Sequence, residues 1–390
     1  MTYVSTVLNQ LQHLLPMREF ESFVGQHEAD KWSKKFKTRD QLNILLYAQA
    51  TGKDSLRDIE TGLSVQDNAW YHLGLQTVGK STLARANEGR PYEIYESMFY
   101  KLLSKCKTFS SGTASFTFQN DLYALDSTVV ELCLNLFPWA HFRKAKGALK
   151  LHTLFNVRTQ IPELIIESDG KTHDIEIARL IEWDKYAAGS IFVMDRAYID
   201  YAWLHDIQKH GHAFVVRQKK NANLVSLETF SVREKGVLKD ERVAFVLDEA
   251  LGKYPETLRR ITYVDEKTGK TYMFLTNNFE LSSKTIADIY KSRWQIELFF
   301  KWIKQHLKIK TFLGTSKNAV MTQIWVAMIY YLLLAWVKFQ TRFKGSLLDL
   351  TRIIGETLLQ NVALIDLLGL KPRSVSRTLA RAAPAQLSFF

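Results

Sequence analysis

The hydrophobic pattern changes its period near residue 115, and this change constrains the fold more than any other feature of the sequence. Three strand-length runs with a period of two follow one another there, each bounded by turn residues: FTFQNDLYALDSTVVELCLN, LKLHTLFNV and IPELIIESDG. The pattern then alternates between helix and strand through DIEIARLIEWDKYAAG, SIFVMD, YAWLHDIQKHG and HAFVVRQ. Three adjacent strands followed by alternating helices and strands predict an α/β domain.

Two carboxylates stand at the ends of apolar strand segments in this domain. Asp126 ends LYALD, and Asp195 ends SIFVMD. Open α/β sheets build their sites at the carboxyl ends of strands, so both are candidate site residues in a layout typical of ribonuclease-H-like folds. An Asp at a strand end is also a common turn former or helix cap, and the pattern alone leaves that alternative open.

Residues 219–270 interrupt the α/β pattern with a polar, strand-alternating segment that contains several turns. The apolar run TYMFLTNN then restores the core pattern, so we interpret 219–270 as a β-rich insertion. The predicted organisation is a helical domain at 1–110, the first part of the core at 111–218, the insertion at 219–270, the second part of the core at 271–315, and carboxyl-terminal helices at 316–390.

Residues 1–110 are helical in pattern, with short amphipathic segments separated by glycine-containing turns. A turn from Thr77 to Gly79 and a helix capped by Ser81 resemble the second half of a helix-turn-helix. The polar side chains of this helix would then reach phosphates and base edges: Lys80, Thr82, Arg85, Asn87 and Arg90. A plain helical bundle is the alternative, and the basic run KWSKKFKTR is either a second DNA contact or a solvated face.

The charge balance favours a polyanionic partner such as nucleic acid. The 390-residue chain has 52 Lys and Arg against 40 Asp and Glu, a net charge of +12, and its 46% apolar residues are enough for a globular core. Only two cysteines are present, without a CxxC or a Cys/His cluster. This count indicates neither a disulfide framework nor a structural zinc site, and it suits a reducing cytoplasm.

The sequence predicts neither a secretory signal nor a membrane span. The amino terminus lacks a basic region and a small-residue cleavage site, and its pattern suits an amphipathic helix. The most hydrophobic run, IWVAMIYYLLLAWV, has 14 residues, whereas a membrane span needs roughly 20. We therefore predict a buried core helix there and no membrane partner.

The stretch YKSRWQIELFFKWIK, residues 290–304, predicts one amphipathic helix. At about 100° of rotation per residue, its polar row falls within a sector of roughly 60°. That row consists of Tyr290, Arg293, Glu297 and Lys304. An apolar stripe on another sector is expected to face the core: Ile289, Ile296, Phe300, Ile303 and Leu307. Taken alone, the row is also explained by a solvated face with an ion pair between Arg293 and Glu297.

Three segments resemble the catalytic motifs of the IS4 family of DDE transposases: LYALDSTVVEL, IFVMDRAYID and YKSRWQIELFFKWIK. The last matches the family signature Tyr-x2-Arg-x3-Glu-x6-Lys at every defined position. The motif resemblance runs from about Asp121 to Lys310, and FKTRDQLNILLYAQATGKDSLRDIE is similar to the amino-terminal domain that often precedes this core. The resemblance implies a ribonuclease-H-like catalytic core with a β-rich insertion, preceded by an all-α DNA-binding domain.

Carried over position by position, the resemblance implies a catalytic and metal-binding triad of Asp126, Asp195 and Glu297. Three converging carboxylates repel one another, and oxygen ligands suit Mg²⁺ or Mn²⁺, with two ions expected per site. The rest of the polar row would hold phosphates of the cleaved strand through Tyr290, Arg293 and Lys304. One departure is Ala197, where many relatives have Gly, and it leaves the neighbouring carboxylate in place.

The resemblance also implies a cut-and-paste transposase, which binds the terminal inverted repeats of its element, cleaves there and joins the ends to target DNA. Pairing two ends implies a homodimer, for which the helices after Lys310, including RTLARAAPAQL, are the expected interface. Family members commonly form a hairpin at the transposon end. Tyr272 is the candidate base-stacking residue, with a core aromatic as the alternative.

A transposase of this kind is expected in the bacterial cytoplasm and on the nucleoid when it is bound to DNA. Two alternatives remain from the sequence. One is a metal-dependent DNA nuclease of ribonuclease-H-like fold that makes no strand transfer. The other is a non-catalytic DNA-binding protein, against which the intact set of Asp126, Asp195 and Glu297 argues.

Overall fold

The computed structural model describes residues 4–65, 77–107, 116, 118–132, 137, 139–143, 146–219, 222–306 and 312–369. The chain divides into two compact units, one formed by residues 1–109 and 306–390 and the other by residues 110–305. The described carboxyl-terminal helices thus belong to the same unit as the amino-terminal helices. The sequence pattern treats 1–110 and 316–390 as separate segments, since it carries no information on which helices pack together.

The described helices are α1 Val7–Leu14, α2 Met17–Gln26, α3 Thr38–Thr51, α4 Leu56–Ser64, α5 Lys80–Gly89, α6 Glu93–Lys107, α7 Asp174–Ala178, α8 Tyr201–Lys209, α9 Asp248–Lys253, α10 Ser283–Ser292, α11 Trp294–His306, α12 Lys317–Thr341, α13 Leu347–Thr357 and α14 Leu364–Gly369. The described strands are β1 Leu122–Leu132, β2 His141–Arg143, β3 Lys146–Asn156, β4 Ile161–Asp169, β5 Ile191–Met194, β6 Ala213–Arg217, β7 Leu224–Thr229, β8 Val237–Phe245, β9 Leu258–Val264 and β10 Thr271–Thr276.

A ten-stranded mixed sheet forms the centre of the unit at 110–305 within its described residues. Its order is β2-β3-β1-β5-β6-β10-β9-β8-β7, with β4 also paired to β3. The three period-two runs form β1, β3 and β4, which pair antiparallel, and β5 and β6 then add in parallel to β1. The predicted α/β core is confirmed.

Strand β1 extends well beyond the aspartate that was expected at its end. Its parallel pairing with β5 stops at Leu125↔Met194, but its antiparallel pairing with β3 continues to Leu132↔Gly147. The prediction that Asp126 closes a strand is therefore wrong, because β3 supplies hydrogen-bonding partners along the whole of β1. What ends beside Asp126 is the neighbouring strand β5.

The segment at 219–270 extends the core sheet. β7, β8 and β9 pair antiparallel in succession, and β9 pairs with β10, which pairs with β6. A buried ion pair links this segment to α10. Arg259 donates to Asp240 at 2.9 and 2.6 Å, and the Ser283 hydroxyl donates to the same carboxylate at 2.6 Å. Since Ser283 is the first residue of α10, this contact ties the segment to the start of that helix, whose N-cap is Ser282.

The helix predicted over DIEIARLIEWDKYAAG forms only in part. α7 ends at Ala178, and a short 3-10 turn spans Trp183–Lys185. Ile181 and Trp183 are both buried, at 6% and 5% exposure. A helix points residues two positions apart to different faces, so burying both in one core requires the chain to leave the helix.

Helix α12 forms the core of the other unit. It contains the apolar run that was predicted to be a buried helix, and most of its side chains from Ala319 to Leu334 are buried. By length and composition it could cross a membrane, but 83% of its most apolar window is buried inside the protein, as expected of a core helix. Trp325 packs against Phe99 and Tyr100 of α6, with ring centroids 5.3 and 5.9 Å apart.

Candidate active site

Adjacent parallel strands bring the two predicted aspartates to the same level of the sheet. Leu125 pairs with Met194, so Asp126 and Asp195 each follow directly after a paired residue. Asp126 accepts a hydrogen bond from the Ser127 backbone N–H at 2.8 Å. Asp195 accepts one at 2.7 Å from the backbone N–H two residues later, at the start of a 3-10 turn. Backbone donors thus hold both carboxylates.

The helix predicted for residues 290–304 is divided at Arg293. α10 ends at Ser292 and α11 begins at Trp294, with Arg293 in helical dihedral angles between them. The prediction of one continuous helix is wrong at this position, because the Arg293 N–H bonds to the Tyr290 carbonyl, three residues back, in a tightened turn. This turn carries the side chain that joins the two parts of the site.

Arg293 bridges the strand aspartate and the helix glutamate. Its Nη1 donates to Oδ2 of Asp126 at 2.9 Å, and its Nη2 donates to Oε1 of Glu297 at 2.5 Å. The arginine is 167 positions from Asp126 in the chain, and its side chain is only 16% exposed. A solvated i,i+4 ion pair does not describe this arrangement, since one guanidinium serves two carboxylates from different elements.

The pKa of Asp126 is affected by both other carboxylates. Burial is the main cause that raises the pKa of Asp126, to about 6, and the charges of Asp195 and Glu297 act in the same direction. The Ser127 N–H and the Arg293 guanidinium oppose the rise. The two neighbouring carboxylates therefore disfavour ionisation of Asp126, and positive charge beside it stabilises its charged form.

The donor set suits a divalent cation. The three side chains offer only carboxylate oxygens, which Mg²⁺ and Mn²⁺ prefer. In the described part of the chain, no three carboxylate, imidazole or thiol groups are placed closely enough to hold an ion as they stand. The Arg293 guanidinium lies between Asp126 and Glu297. An ion bound by all three carboxylates would compete with Arg293 for oxygens of Asp126 and Glu297.

A row of rings leads from the sheet to Arg293. On β10, Tyr272 is stacked parallel to Phe274 with centroids 6.1 Å apart, and Phe274 contacts Tyr290 at 4.6 Å. The Arg293 guanidinium lies 6.0 Å from the Tyr290 ring. Burial raises the pKa of Tyr290, so its hydroxyl stays protonated and is able to donate. At the other end of the row Tyr272 is partly exposed, and the Arg217 guanidinium lies 4.9 Å from its ring.

The described positions that remain from the predicted polar row and apolar stripe are exposed or buried as the sequence pattern predicts. Lys304 is exposed on α11, and none of the described contacts joins it to the three carboxylates. The predicted core stripe is buried at every described position: Ile289, Ile296, Phe300 and Ile303. The fifth member, Leu307, lies outside the described residues.

A polar cluster that the sequence pattern did not predict lies beside Asp126. The Ser127 hydroxyl donates to Oδ1 of Asp174 at 2.6 Å, and Lys150 Nζ lies 2.9 Å from the same oxygen. His152 Nδ1 lies 3.4 Å from it, and burial lowers the pKa of this histidine to about 4. Because Ser127 directly follows Asp126, the cluster fixes the backbone that donates to the catalytic candidate. The available signal was the pair Lys150 and His152, two polar residues at alternate positions of an apolar strand.

The helix predicted to face DNA is present as α5, but the structure divides its candidate residues. Lys80 and Arg85 are exposed and Thr82 is partly exposed. Asn87 and Arg90 are 2% and 7% exposed and bond within the helical unit, which excludes them from base reading as placed. They lie at i+4 and i+7 from the buried Leu83, on the core-facing stripe.

The start of α5 also differs from its prediction. Gly79 is the N-cap, without a side-chain hydrogen bond, and Ser81 lies inside the helix, so the predicted Ser81 cap is wrong. The Glu60 carboxylate instead accepts from the Lys80 N–H at 3.1 Å. The helix-turn-helix interpretation depends on residues 66–76, which lie outside the described residues.

Two segments of the chain match protein families. Residues 117–333 match the family described as Transposase DDE domain, and this range contains Asp126, Asp195 and Glu297. Residues 4–76 match a family described only as a domain of unknown function, DUF4372.

Several relatives are named as transposases. The chain is 31% identical over 273 residues to a protein named as the transposase of insertion sequence element IS5377 in Geobacillus stearothermophilus, covering 69% of this chain and 70% of the relative. It is 32% identical over 322 residues to a protein named as transposase y4zB in Sinorhizobium fredii, covering 80% and 86%. It is 26% identical over 298 residues to one named for element IS4SA in Synechocystis, covering 74% and 81%.

A solved structure of a piggyBac transposase synaptic complex with hairpin DNA aligns with 97% of this chain and 86% of that one. The TM-score is 0.48 and the sequence identity is 12%. A likeness this low bears neither on the activity nor on the partners of the chain.

Proposed function

The chain belongs to the DDE transposases, and we propose that Asp126, Asp195 and Glu297 form the site at which it cleaves and joins DNA. The observation that supports this assignment is the Arg293 bridge. It brings a glutamate from α11 to an aspartate on β1, beside the end of β5 where the second aspartate lies. The order of two strand carboxylates and one helix carboxylate is that of the family resemblance.

The family uses divalent metal ions, and we propose two Mg²⁺ or Mn²⁺ ions held by these three carboxylates. The chemistry that such ions would supply is activation of the attacking oxygen and stabilisation of the leaving oxygen in an in-line phosphodiester displacement. The chain's own part is to hold the carboxylates. Asp126 and Asp195 are oriented by backbone N–H groups, and before an ion binds Arg293 holds Glu297 beside Asp126.

The rest of the polar row is proposed to hold the scissile strand. The Nε atom of Arg293 is buried without a hydrogen-bond partner among the described residues, so it is able to donate to a phosphate when the side chain leaves the carboxylates. The Tyr290 hydroxyl is protonated, and Lys304 is exposed further along α11. We propose Tyr272 as the ring that stacks on a displaced base at a hairpin end, with Arg217 covering one face until the base arrives.

Recognition of the element's ends is proposed for the helical unit. Lys80, Thr82 and Arg85 remain available on α5 for phosphates and base edges. The partner is DNA, and we propose terminal inverted repeats as its specific form, a homodimer as the pairing complex and the bacterial nucleoid as the place of action. We also propose that the chain belongs to the IS4 family within the DDE transposases. The RTLARAAPAQL segment predicted for dimerisation lies outside the described residues.

Strand joining separates a transposase from a nuclease of the same fold. A labelled duplex carries the end of the element and is already cut there, so that its 3′-hydroxyl is free. It is incubated with supercoiled plasmid, the purified protein and MgCl₂ or MnCl₂. We expect covalent transfer of the label to the plasmid, dependent on the metal. Nicking of both DNAs without transfer of the label would support the nuclease alternative.

A further inference from the structure

Trp32 is the most exposed of the large apolar side chains that the structure describes, at 88%. It lies between α2 and α3, and the cations of this segment and of the first turn of α3 are all exposed: Lys31, Lys34, Lys35, Lys37 and Arg39. An indole in water forgoes one of the largest gains from apolar burial. Aromatic side chains interleaved with cations are typical of surfaces that bind nucleic acid. We call residues 28–39 the Trp32 loop.

The backbone of the Trp32 loop is fixed by Asp30. Its Oδ1 accepts from the Thr38 backbone N–H at 2.9 Å and from the Thr38 hydroxyl at 2.8 Å, which closes the loop onto the start of α3. The backbone N–H of Lys31 donates to the Glu28 carbonyl in a turn that precedes Trp32, and the N–H of Ser33 donates to the Asp30 carbonyl in a turn that contains Trp32. The exposure of the indole is therefore imposed by a hydrogen-bonded backbone.

Arg90 holds the far side of the same loop. Its guanidinium donates to the Phe36 carbonyl, to the Ser33 hydroxyl at 3.1 Å and to the Gln41 side chain at 3.0 Å. It also lies 5.1 Å from the Phe36 ring. The Arg90 guanidinium therefore positions the loop through these hydrogen bonds. Its burial, which excludes it from base reading, is explained by this role.

The charges on the loop are only partly neutralised by the protein itself. Lys31 pairs with Glu28 at 2.8 Å, and Arg39 lies 3.5 Å from Glu21. Among the described residues, no carboxylate lies within ion-pair distance of Lys34 or Lys35. These two lysines are consecutive, exposed and close in sequence to Trp32. They can bind phosphates without breaking an existing ion pair.

We propose that the Trp32 loop is a sequence-independent contact for duplex DNA. Lys34 and Lys35 bind backbone phosphates, and Trp32 packs into the groove against sugar and base edges. The inference rests on the proposed function, because that function makes DNA the partner, and it gives a role to part of the segment that matches a domain of unknown function. A second copy of the chain is a poorer partner, since the same cations would face one another.

The test uses the full-length protein and a fluorescently labelled 30-base-pair duplex of random sequence, with binding followed by anisotropy over a range of NaCl concentrations. The variants are Trp32→Ala, Trp32→Phe and the double change Lys34→Ala with Lys35→Ala. The matched control is Lys235→Ala with Lys253→Ala, which removes two lysines that already pair with carboxylates. Thermal unfolding of each variant checks that the fold is intact.

We expect the Lys34 and Lys35 double variant to reduce the slope of log K against log salt by about two units, whereas the control keeps it. Trp32→Ala should weaken binding by about 5- to 150-fold at every salt concentration without changing the slope. Trp32→Phe should retain most of the affinity. Wild-type affinity and slope in all the loop variants would overturn the inference, as would dissociation of a DNA-free oligomer by Trp32→Ala, which would make the loop an interface between copies.

Asp126→Asn is measured in parallel to separate this inference from the proposed function. If the loop contacts DNA and the triad does the chemistry, Asp126→Asn should bind the random duplex with wild-type affinity. It should fail to cleave a duplex that carries the element's end. Loop variants that bind normally, together with an inactive Asp126→Asn, would overturn the loop alone. Weakened binding in the loop variants, together with an active Asp126→Asn, would overturn the proposed site alone.

Discussion

Replacing Arg293 with Ala removes the cation that bridges Asp126 and Glu297. An exposed i,i+4 pair contributes about 0.3–0.5 kcal/mol, and loss of one partner from a fully buried pair costs about 3–5 kcal/mol. Here the side chains are 16%, 21% and 33% exposed for Arg293, Asp126 and Glu297. This intermediate burial predicts a loss of about 1–3 kcal/mol in the free energy of unfolding without metal.

The same change should increase the stabilisation by divalent ions. A ligand at a hundredfold excess over its Kd adds about 2.7 kcal/mol to the folded state. In the wild type, part of that gain is offset because the arginine competes with the ion for oxygens of Asp126 and Glu297. In Arg293→Ala the carboxylates have no competing cation, so the rise in melting temperature on adding metal should be larger. Arg293→Lys keeps a charge without the planar guanidinium that reaches both carboxylates, so its response should be intermediate.

The assay is thermal or urea unfolding of EDTA-treated protein, repeated with MgCl₂ and with MnCl₂. Lys301→Ala is the control, because it removes an exposed cation from the same helix α11. If Arg293→Ala unfolds within a few tenths of a kcal/mol of the wild type and responds equally to metal, the bridge does not contribute to stability and does not compete with the ion.

Asp174→Ala should slow single-turnover cleavage and raise the metal concentration needed for half-maximal rate, with DNA affinity unchanged, because the Ser127 hydroxyl loses its acceptor; an unchanged metal requirement would refute this positioning role. The pKa of His152 is about 4 in the folded protein and 6.5 in the unfolded chain, so as the pH falls the unfolded chain is protonated before the folded one. The free energy of unfolding should therefore decrease from pH 6.5 towards pH 4, by up to about 3 kcal/mol. Urea unfolding at pH 7 and pH 4.5 should show a smaller fall for His152→Asn than for the wild type, and an equal fall would contradict the assignment. In footprints on the element's ends, Arg85→Ala should weaken specific binding by about 1–3 kcal/mol, whereas Arg90→Ala should lower the melting temperature; the reverse pattern would move recognition to the buried arginine.

The local patterns of the sequence predicted the elements that carry the site. The apolar run SIFVMD placed Asp195 at the end of β5, since the first polar residue after a continuous apolar segment marks where a buried strand ends. The run before Asp126 placed that residue on β1 but did not show that the strand continues beyond it. The spacing of Tyr290, Arg293 and Glu297 placed them on one side of a helical segment. These predictions succeed because side-chain periodicity is a property of a few neighbouring residues.

Contacts that depend on strand register could not be read from the sequence. The approach of Arg293 to Asp126 requires β1 to pair with β5 and the start of α10 to be anchored by the long-range hydrogen bond from Ser283 to Asp240. The approach of Asp174 to Ser127 depends in the same way on where the chain returns after β4. No local pattern encodes either distance.

Arg90 is a different case, because its signal was present and was masked by residue type. Leu83, Ala86, Asn87 and Arg90 follow the i, i+3, i+4, i+7 spacing of a core-facing stripe, and all four are buried. The polar character of the last two suggested DNA contacts. Their burial is stabilised by Gln41, which accepts from Arg90 and donates to Asn87. The spacing was the better guide, since a buried polar residue requires only a partner.

The proposed catalytic triad is tested most directly with Asp126→Asn, Asp195→Asn and Glu297→Gln. Single-turnover cleavage of a duplex that carries the element's end is measured for each, at saturating protein with MgCl₂ or MnCl₂. Each change keeps the shape of the side chain and removes the charge of one ligand. We predict that all three abolish metal-dependent cleavage and joining while the affinity for the same duplex stays close to that of the wild type. Wild-type cleavage by any one of them would contradict its place in the site.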